Sequence, residues 1–312
     1  MRPLPSAARA GASLCTLLSA AAPCRAQASQ VADTAFDASV AEPAYPRGSG
    51  PRVVIDAAHF NVHTAEGRYR PFATLLANDG FRVAPGRRAL DAAALRAADV
   101  LVIANALGDS SSAEAAARPA FTAEEVEAVW RWVDGGGALL LVADHEPAGA
   151  AARRLAARFG VDMSTGRTFD DPHSDWTSGS PTWLVFQRDT GARILDHPIT
   201  RGRGERERIR RVETFSGQSL AGPPGSVGFL ALAPGAVDRF PGGRAVPADG
   251  RAQAVALTVG RGRVVVLGEA ALLTAQVTSA GGRTVRFGWT WPDNDDRQLA
   301  LNIVRWLAGA LQ

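Results

Sequence analysis

The chain of 312 residues is 46% hydrophobic and 21% charged, has no lysine, and carries its only two cysteines, Cys15 and Cys24, near the start. These absences exclude a Schiff-base or Walker-type lysine. Beyond residue 28 they also exclude a disulfide, a thiol nucleophile and a thiolate metal site. The net charge of +3 belongs to Arg2, Arg9 and Arg25, leaving 31 arginines against 31 acidic residues, so the charge balance does not point to nucleic acid.

Residues 1–28 read as a secretory signal peptide. Arg2 and Arg9 lead into the apolar stretch "AGASLCTLLSAAAP", and Ala26-Gln27-Ala28 supplies a small-x-small cleavage site. Export to the periplasm or medium is expected, with cleavage near Ala28. A lipid anchor at Cys24 is the weaker alternative, because Pro23 and Arg25 flank the cysteine. No later stretch is long and apolar enough to cross a bilayer. Residues 29–50 lack any period and read as a flexible lead-in.

The first strand is "RVVID", ending at Asp56. A helix is expected over 69–78, with Phe72, Leu75 and Leu76 on one side. "FRVAP" is a second strand, and "ADVLVIANAL" a third, whose uniform apolarity suits a parallel strand covered on both faces. Thr122 and Glu125 form a T-x-x-E capping box, and Val126, Val129, Trp130 and Val133 recur at helical spacing behind it. "ALLLVA" is the fourth strand. Residues 161–250 are rich in Gly, Pro, Ser and Thr and read as an irregular, lid-like insertion with short strands at "TWLVF" and "VGFLALA". "AQAVALTVGRGRVVVLGEAALL" then forms a late β-hairpin, and "DRQLALNIVRWLAGAL" a closing helix. The run "RGRGERERIRR" interleaves Arg with Glu205 and Glu207 and reads as a self-paired surface. The expectation is one domain over 51–312. Its fold class is α/β, doubly wound, with a mostly parallel sheet.

In such sheets ligands bind beyond the carboxyl ends of the strands. Asp56 ends the first strand, followed by His59, Asn61 and His63. Asn105 ends the third, Asp144-His145-Glu146 the fourth, and Glu269 the hairpin. Asp56, Asp144, Glu146 and Glu269 are the candidate catalytic residues. His59, His63 and His145 are the candidate ligands of a divalent metal such as zinc. Each also has an ordinary reading: Asp56 as a turn residue, Asp144, Glu146 and Glu269 as helix caps, His173 and His197 as loop histidines.

Together, "VVIDAAHFNVH", "ADVLVIANAL", "FTAEEVEAVWRWVDGGGALLLVADH" and "GRGRVVVLGEA" resemble the class I glutamine amidotransferase-like superfamily. The likeness is to its secreted bacterial branch, related to ThuA-like and gliding-motility/intraflagellar-transport domains, over about residues 52–160 and 250–311. The resemblance implies a flavodoxin-like arrangement. Active amidotransferases carry a nucleophilic cysteine at the fourth-strand corner and a later His-x-Glu. Here the corner is Ala143-Asp144-His145-Glu146-Pro147 and no such His-x-Glu follows, so glutamine hydrolysis through a thioester is excluded. "VVIDAAH" is also similar to the opening strand of zinc-dependent N-acetylmuramoyl-alanine amidases, but "LVIANAL" lacks the histidine their later strand needs.

Three functions stay open at this point: a metal-assisted extracytoplasmic hydrolase, a metal-free acid–base hydrolase using His and carboxylate groups, and a non-catalytic carbohydrate- or peptide-binding or assembly domain. The partner in each is a small molecule, glycan or peptide. Ser216, in "TFSGQS", lacks a G-x-S-x-G elbow. Trp176, Trp183, Trp289 and Trp291 could stack on sugar rings.

Overall fold

The computed structural model describes residues 30–280 and 283–312. The expected signal peptide lies outside the described residues. In chain order the principal elements are β1 (Arg52–Asp56), α1 (Arg70–Asn78), β2 (Arg82–Gly86), β3 (Val100–Ala104), α2 (Ala123–Asp134), β4 (Ala138–Val142) and α3 (Ala148–Arg158). There follow β5 (Trp183–Gln187), β6 (Arg211–Phe215), β7 (Val227–Ala231), β8 (Ala252–Val259), β9 (Gly262–Leu267), β10 (Ala275–Ala280), β11 (Arg283–Gly288) and α4 (Asp296–Leu307).

One large sheet organises the molecule. Its parallel block runs β2-β1-β3-β4-β9. Beyond β9 the direction reverses: β8 pairs antiparallel with β9, and β7 antiparallel with β8. The strand Arg193–Ile194, then β5 and β6, complete that edge. The sheet is therefore mixed, where a mostly parallel one was expected. Segment 161–250 contributes β5, β6 and β7 to its antiparallel half. The short hairpin turn at Gly260-Arg261 forces β8 and β9 antiparallel, and the pairings beyond β8 are antiparallel too, except that of β5 with Arg193–Ile194.

Alternating residues of the parallel strands feed two cores. Val53, Ile55, Val100, Val102, Leu140 and Val142 face Phe72 and Leu76 of α1 and Leu299 and Ile303 of α4. Leu101, Ile103, Leu139 and Leu141 face Val126, Val129 and Val133 of α2 and Leu155 of α3. Both faces of β3 and β4 are covered, which is why these two strands are apolar at every position. Each such side chain, fully buried, stabilises the fold by roughly 1.5–3 kcal/mol. The capping box of α2 is formed: Thr122 Oγ1 accepts from the Glu125 N–H, and the Glu125 carboxylate accepts from the Thr122 N–H.

Residues 30–50, read as a flexible lead-in, dock along the domain. Val31–Ala32 pairs with β10. Phe36 packs on Trp289, Tyr45 packs on Phe81, and the Asp79 carboxylate accepts the Ala44 N–H. The partners lie far away in sequence, so no local period announces them. The Arg/Glu run at 201–211 is self-paired, as through Arg208–Glu205 and Arg210–Glu205.

Candidate functional site

Beyond the carboxyl ends of β4 and β9 lies a pocket of about 320 Å³. The β4 corner supplies Asp144 and His145, and Glu269 follows β9 by two residues. The loop after β1 supplies His63 and Arg68, and the end of β6 supplies Phe215 and Ser216. Arg167, Trp183, Gln276 and Phe287 complete the polar and aromatic wall.

The corner itself is held by two amides. Gln218 Nε2 donates to the carbonyls of Ala143 (2.8 Å) and Asp144 (3.0 Å), while its Oε1 accepts the Thr165 N–H (2.7 Å). Gly149 of α3 lets that amide approach: a Cβ there would sit 2.6 Å from Gln218 Nε2. Asn105 Oδ1 accepts the Asp144 N–H (2.8 Å), which turns Asn105 Nδ2 toward Asp144 Oδ2 (2.6 Å) and His63 Nδ1 (3.3 Å). An amide nitrogen only donates, so His63 Nδ1 accepts and the imidazole proton resides on Nε2. Burial, reinforced by the charge of Arg68, pushes His63 down to about 3, so the ring is neutral.

At this corner His63 Nε2 and Asp144 Oδ1 are buried and without hydrogen-bond partners. Gln276, fully buried on the same wall, has neither amide atom paired. Unpaired buried polar groups are costly, about 1–3 kcal/mol each, and a site for a polar ligand is one setting that explains them. Backbone strain gathers here too. Of the non-glycine residues at positive φ, Asn105 (46°), Thr165 (65°) and Ser216 (80°) border the corner or the pocket.

Asp144 and Glu269 titrate as a pair. Burial, and then the charge of Asp144, lift Glu269 to about 8. Burial also raises Asp144, opposed by Asn105 and His145. Both shifts favour the neutral carboxyl form, that of Glu269 the more because the charge of Asp144 adds to burial. Glu269 additionally accepts the N–H groups of Ala271 (2.7 Å) and Leu272 (2.8 Å).

The other sequence candidates fall elsewhere. His59 is buried between two carboxylates, Nδ1 on Asp56 (2.8 Å) and Nε2 on Glu125 (3.0 Å). Burial disfavours its charged form, but Asp56 and then Glu125 overcome this and raise it above its ordinary value. Asp56, His59 and Glu125 thus form a closed ion-pair set that ties the β1 loop to the start of α2, apart from the residues lining the pocket. Glu146 is exposed, in a neighbouring groove with Phe169 and Phe240. His145 Nδ1 meets the carbonyl of Glu146 (2.8 Å), and its Nε2 accepts from Arg167 (3.0 Å).

The three-histidine metal set is therefore not assembled. Both nitrogens of His59 and of His145 are engaged, and His63 presents an N–H. Among the described residues no group of three His, Cys, Asp or Glu is placed to hold a metal ion.

No protein-family model matches the chain, and no curated protein matches it. Among solved structures, the mmIFT52 N-terminal domain is similar with a TM-score of 0.57 and 14% identity, covering 82% of this chain and 96% of that one. The fold is shared with that domain. A putative ThuA-like protein from Bacteroides uniformis gives 0.45 at 13% identity, covering 86% and 93%. Another from Parabacteroides merdae gives 0.43 at 14%, covering 84% and 91%.

Arg68, Arg167 and Gln276 carry no local signal in sequence and were not anticipated. Glu125 was visible only as a cap, though the same carboxylate also holds His59. Of the four tryptophans named from sequence, Trp183 alone lines the pocket. Trp289 donates to the Leu272 carbonyl from the core, Trp291 donates to Asp175, and Trp176 is exposed. His197 caps the short helix Pro198–Arg201, and His173 is bonded to Asp170. Ser216 reaches the pocket edge, but its hydroxyl contacts Thr182 Oγ1 at 2.5 Å rather than an imidazole.

Proposed function

We propose that this chain is an exported, metal-free hydrolase of a glycan, acting by acid–base catalysis on a doubly wound, amidotransferase-like scaffold. The observation that carries the reading is that Asp144 and Glu269, from two different strand ends, line one pocket, with Asp144 Oδ1 and the His63 Nε2–H buried and unpaired beside it. A glycosidic bond needs a proton delivered to the leaving oxygen and a base to take one from water. The protonated member, Glu269, suits the first role and ionised Asp144 the second. His63 is a fixed neutral donor for a hydroxyl. Trp183 packs edge-on against Phe215 (4.8 Å), with Phe287 beside them, offering an apolar face to a sugar ring. The strand order β2-β1-β3-β4-β9, with helices on both faces, supports the scaffold reading. Export rests on the charged start, apolar stretch and Ala26-Gln27-Ala28 of the sequence.

One observation favours binding without turnover. Both Glu269 oxygens already accept backbone N–H groups, as a purely structural cap would. The decisive experiment is a screen of cell-wall and polysaccharide fragments for cleavage, with Asp144→Asn as control. Asn keeps the bond pattern at this corner but cannot act as base. A loss of about 10²–10⁴-fold in turnover is expected. Saturable binding with no cleavage of any fragment would sink the catalytic reading.

A further inference from the structure

We infer that the pocket selects a ligand bearing one carboxylate, a sugar acid rather than a neutral sugar, held by Arg68 and Arg167. This rests on reading the pocket as a ligand site. Some arginines elsewhere meet acids, as Arg52 meets Asp99 and Arg158 meets Glu127, while others, such as Arg188, donate to backbone carbonyls. Among the described residues, neither Arg68 nor Arg167 forms an ion pair. The Arg68 Nε donates to the Gln30 carbonyl (3.1 Å), and Arg167 donates to His145 Nε2 (3.0 Å). Both line the same pocket, Arg68 half-buried and Arg167 from its exposed edge.

Two guanidinium groups therefore border one space, with His63 and Gln276, both buried and each with unpaired polar atoms, in its wall. Guanidinium is a planar fork that matches a carboxylate in two parallel hydrogen bonds. The acids of the pocket bear on the kind of anion. Asp144 and Glu269 line the same wall as the two arginines, so a single carboxylate meets the guanidinium groups with less repulsion from Asp144 than a phosphate dianion would. The volume of about 320 Å³ suits a single small ring, with Trp183, Phe215 and Phe287 on its apolar side.

The test is calorimetric titration of the purified chain with glucuronate and galacturonate, with glucose and galactose, and with inorganic phosphate. Sugar acids are expected to bind at least about 10-fold more tightly than their neutral counterparts. Arg68→Gln and Arg167→Gln should each erase most of that preference, lowering the affinity for sugar acids several-fold more than that for neutral sugars. Thermal melts verify folding, and Arg167→Gln, at the exposed edge, carries the test should Arg68→Gln fail to fold. Equal affinity for acid and neutral sugars, or tighter binding of phosphate, overturns the inference. Preferential binding of sugar acids with no turnover upholds it while removing the catalytic reading, so the two fail separately.

Discussion

Asp144 and Glu269 show how position in the fold, rather than residue type, sets chemistry. Each is an ordinary acid in sequence. At the strand ends, burial raises both, and the charge of Asp144 adds to the rise of Glu269. The expected pH–activity profile is bell-shaped: activity falls at alkaline pH as the group near 8, Glu269, loses its proton, and falls at acid pH as Asp144 gains one. Turnover measured across pH checks this, and a flat profile would contradict it. A second carboxyl group behaves similarly outside the pocket. Glu213 in β6 is fully buried with Oε1 unpaired, and burial followed by Asp175 lifts it to about 8, with Arg211 opposing. Asp296 also faces it, its Oδ1 accepting the Glu213 N–H. Between its ordinary value of 4.5 and about 8, the folded state holds this proton more tightly than the unfolded chain, so stability falls as pH rises through that window. Glu213→Gln should flatten this fall and raise Tm at pH 8, as read from melting curves at several pH values.

At the scale of elements, local rules operate where partners are near in sequence. The α2 capping box is the clearest instance. Thr122→Ala removes the acceptor for the Glu125 N–H and should cost about 1 kcal/mol, measured by urea unfolding. It should also loosen Glu125, and with it the second carboxylate on His59. Amide exchange near the β1 loop should rise. Much of the element pattern was readable in advance: the strands of the parallel block, the β8–β9 hairpin, α1, α2 and α4. Strands β6, β10 and β11 were not. Their sequences ("RVETF", "AQVTSA", "RTVRFG") mix polar residues with single apolar ones and sustain no strand period. Of the site, Asp144 and Glu269 stand out because a polar residue just after an apolar strand is conspicuous, and His63 because it belongs to the polar loop that follows the first strand. Asp56 and His59 are equally conspicuous, yet they close on Glu125 instead, a pairing 66 residues apart for His59.

For the molecule as a whole, Arg305 ties the parts together. It is 1% exposed, and its guanidinium contacts Asp79 at the end of α1 (2.8 Å from Nε), Glu207 (2.8 Å from Nη1) and the Glu42 carbonyl (3.1 Å). One side chain thus joins the lead-in, the parallel block, the 161–250 segment and the last helix. Arg305→Ala leaves the buried Asp79 without its cation, while Glu207 keeps Arg203, and about 3–5 kcal/mol of stability should be lost. Denaturant unfolding reads this directly, and loss of under 1 kcal/mol would show that the pieces stand independently.

By itself the sequence determined the α/β class, the covered strands of the parallel block, the capped helix, the absence of thiol and lysine chemistry, and where polar residues leave the strands. These follow from periodicity, from hydrogen bonds between near neighbours and from composition, all of them local. Only the tertiary structure decided that the sheet is mixed, that His59 is sealed between two acids, and that Arg68, Arg167 and Gln276 face Asp144 and Glu269. Contacts between distant segments depend on how strands are ordered and reversed, and burial of a charge is a property of the assembled wall. No stretch of chain carries that information alone.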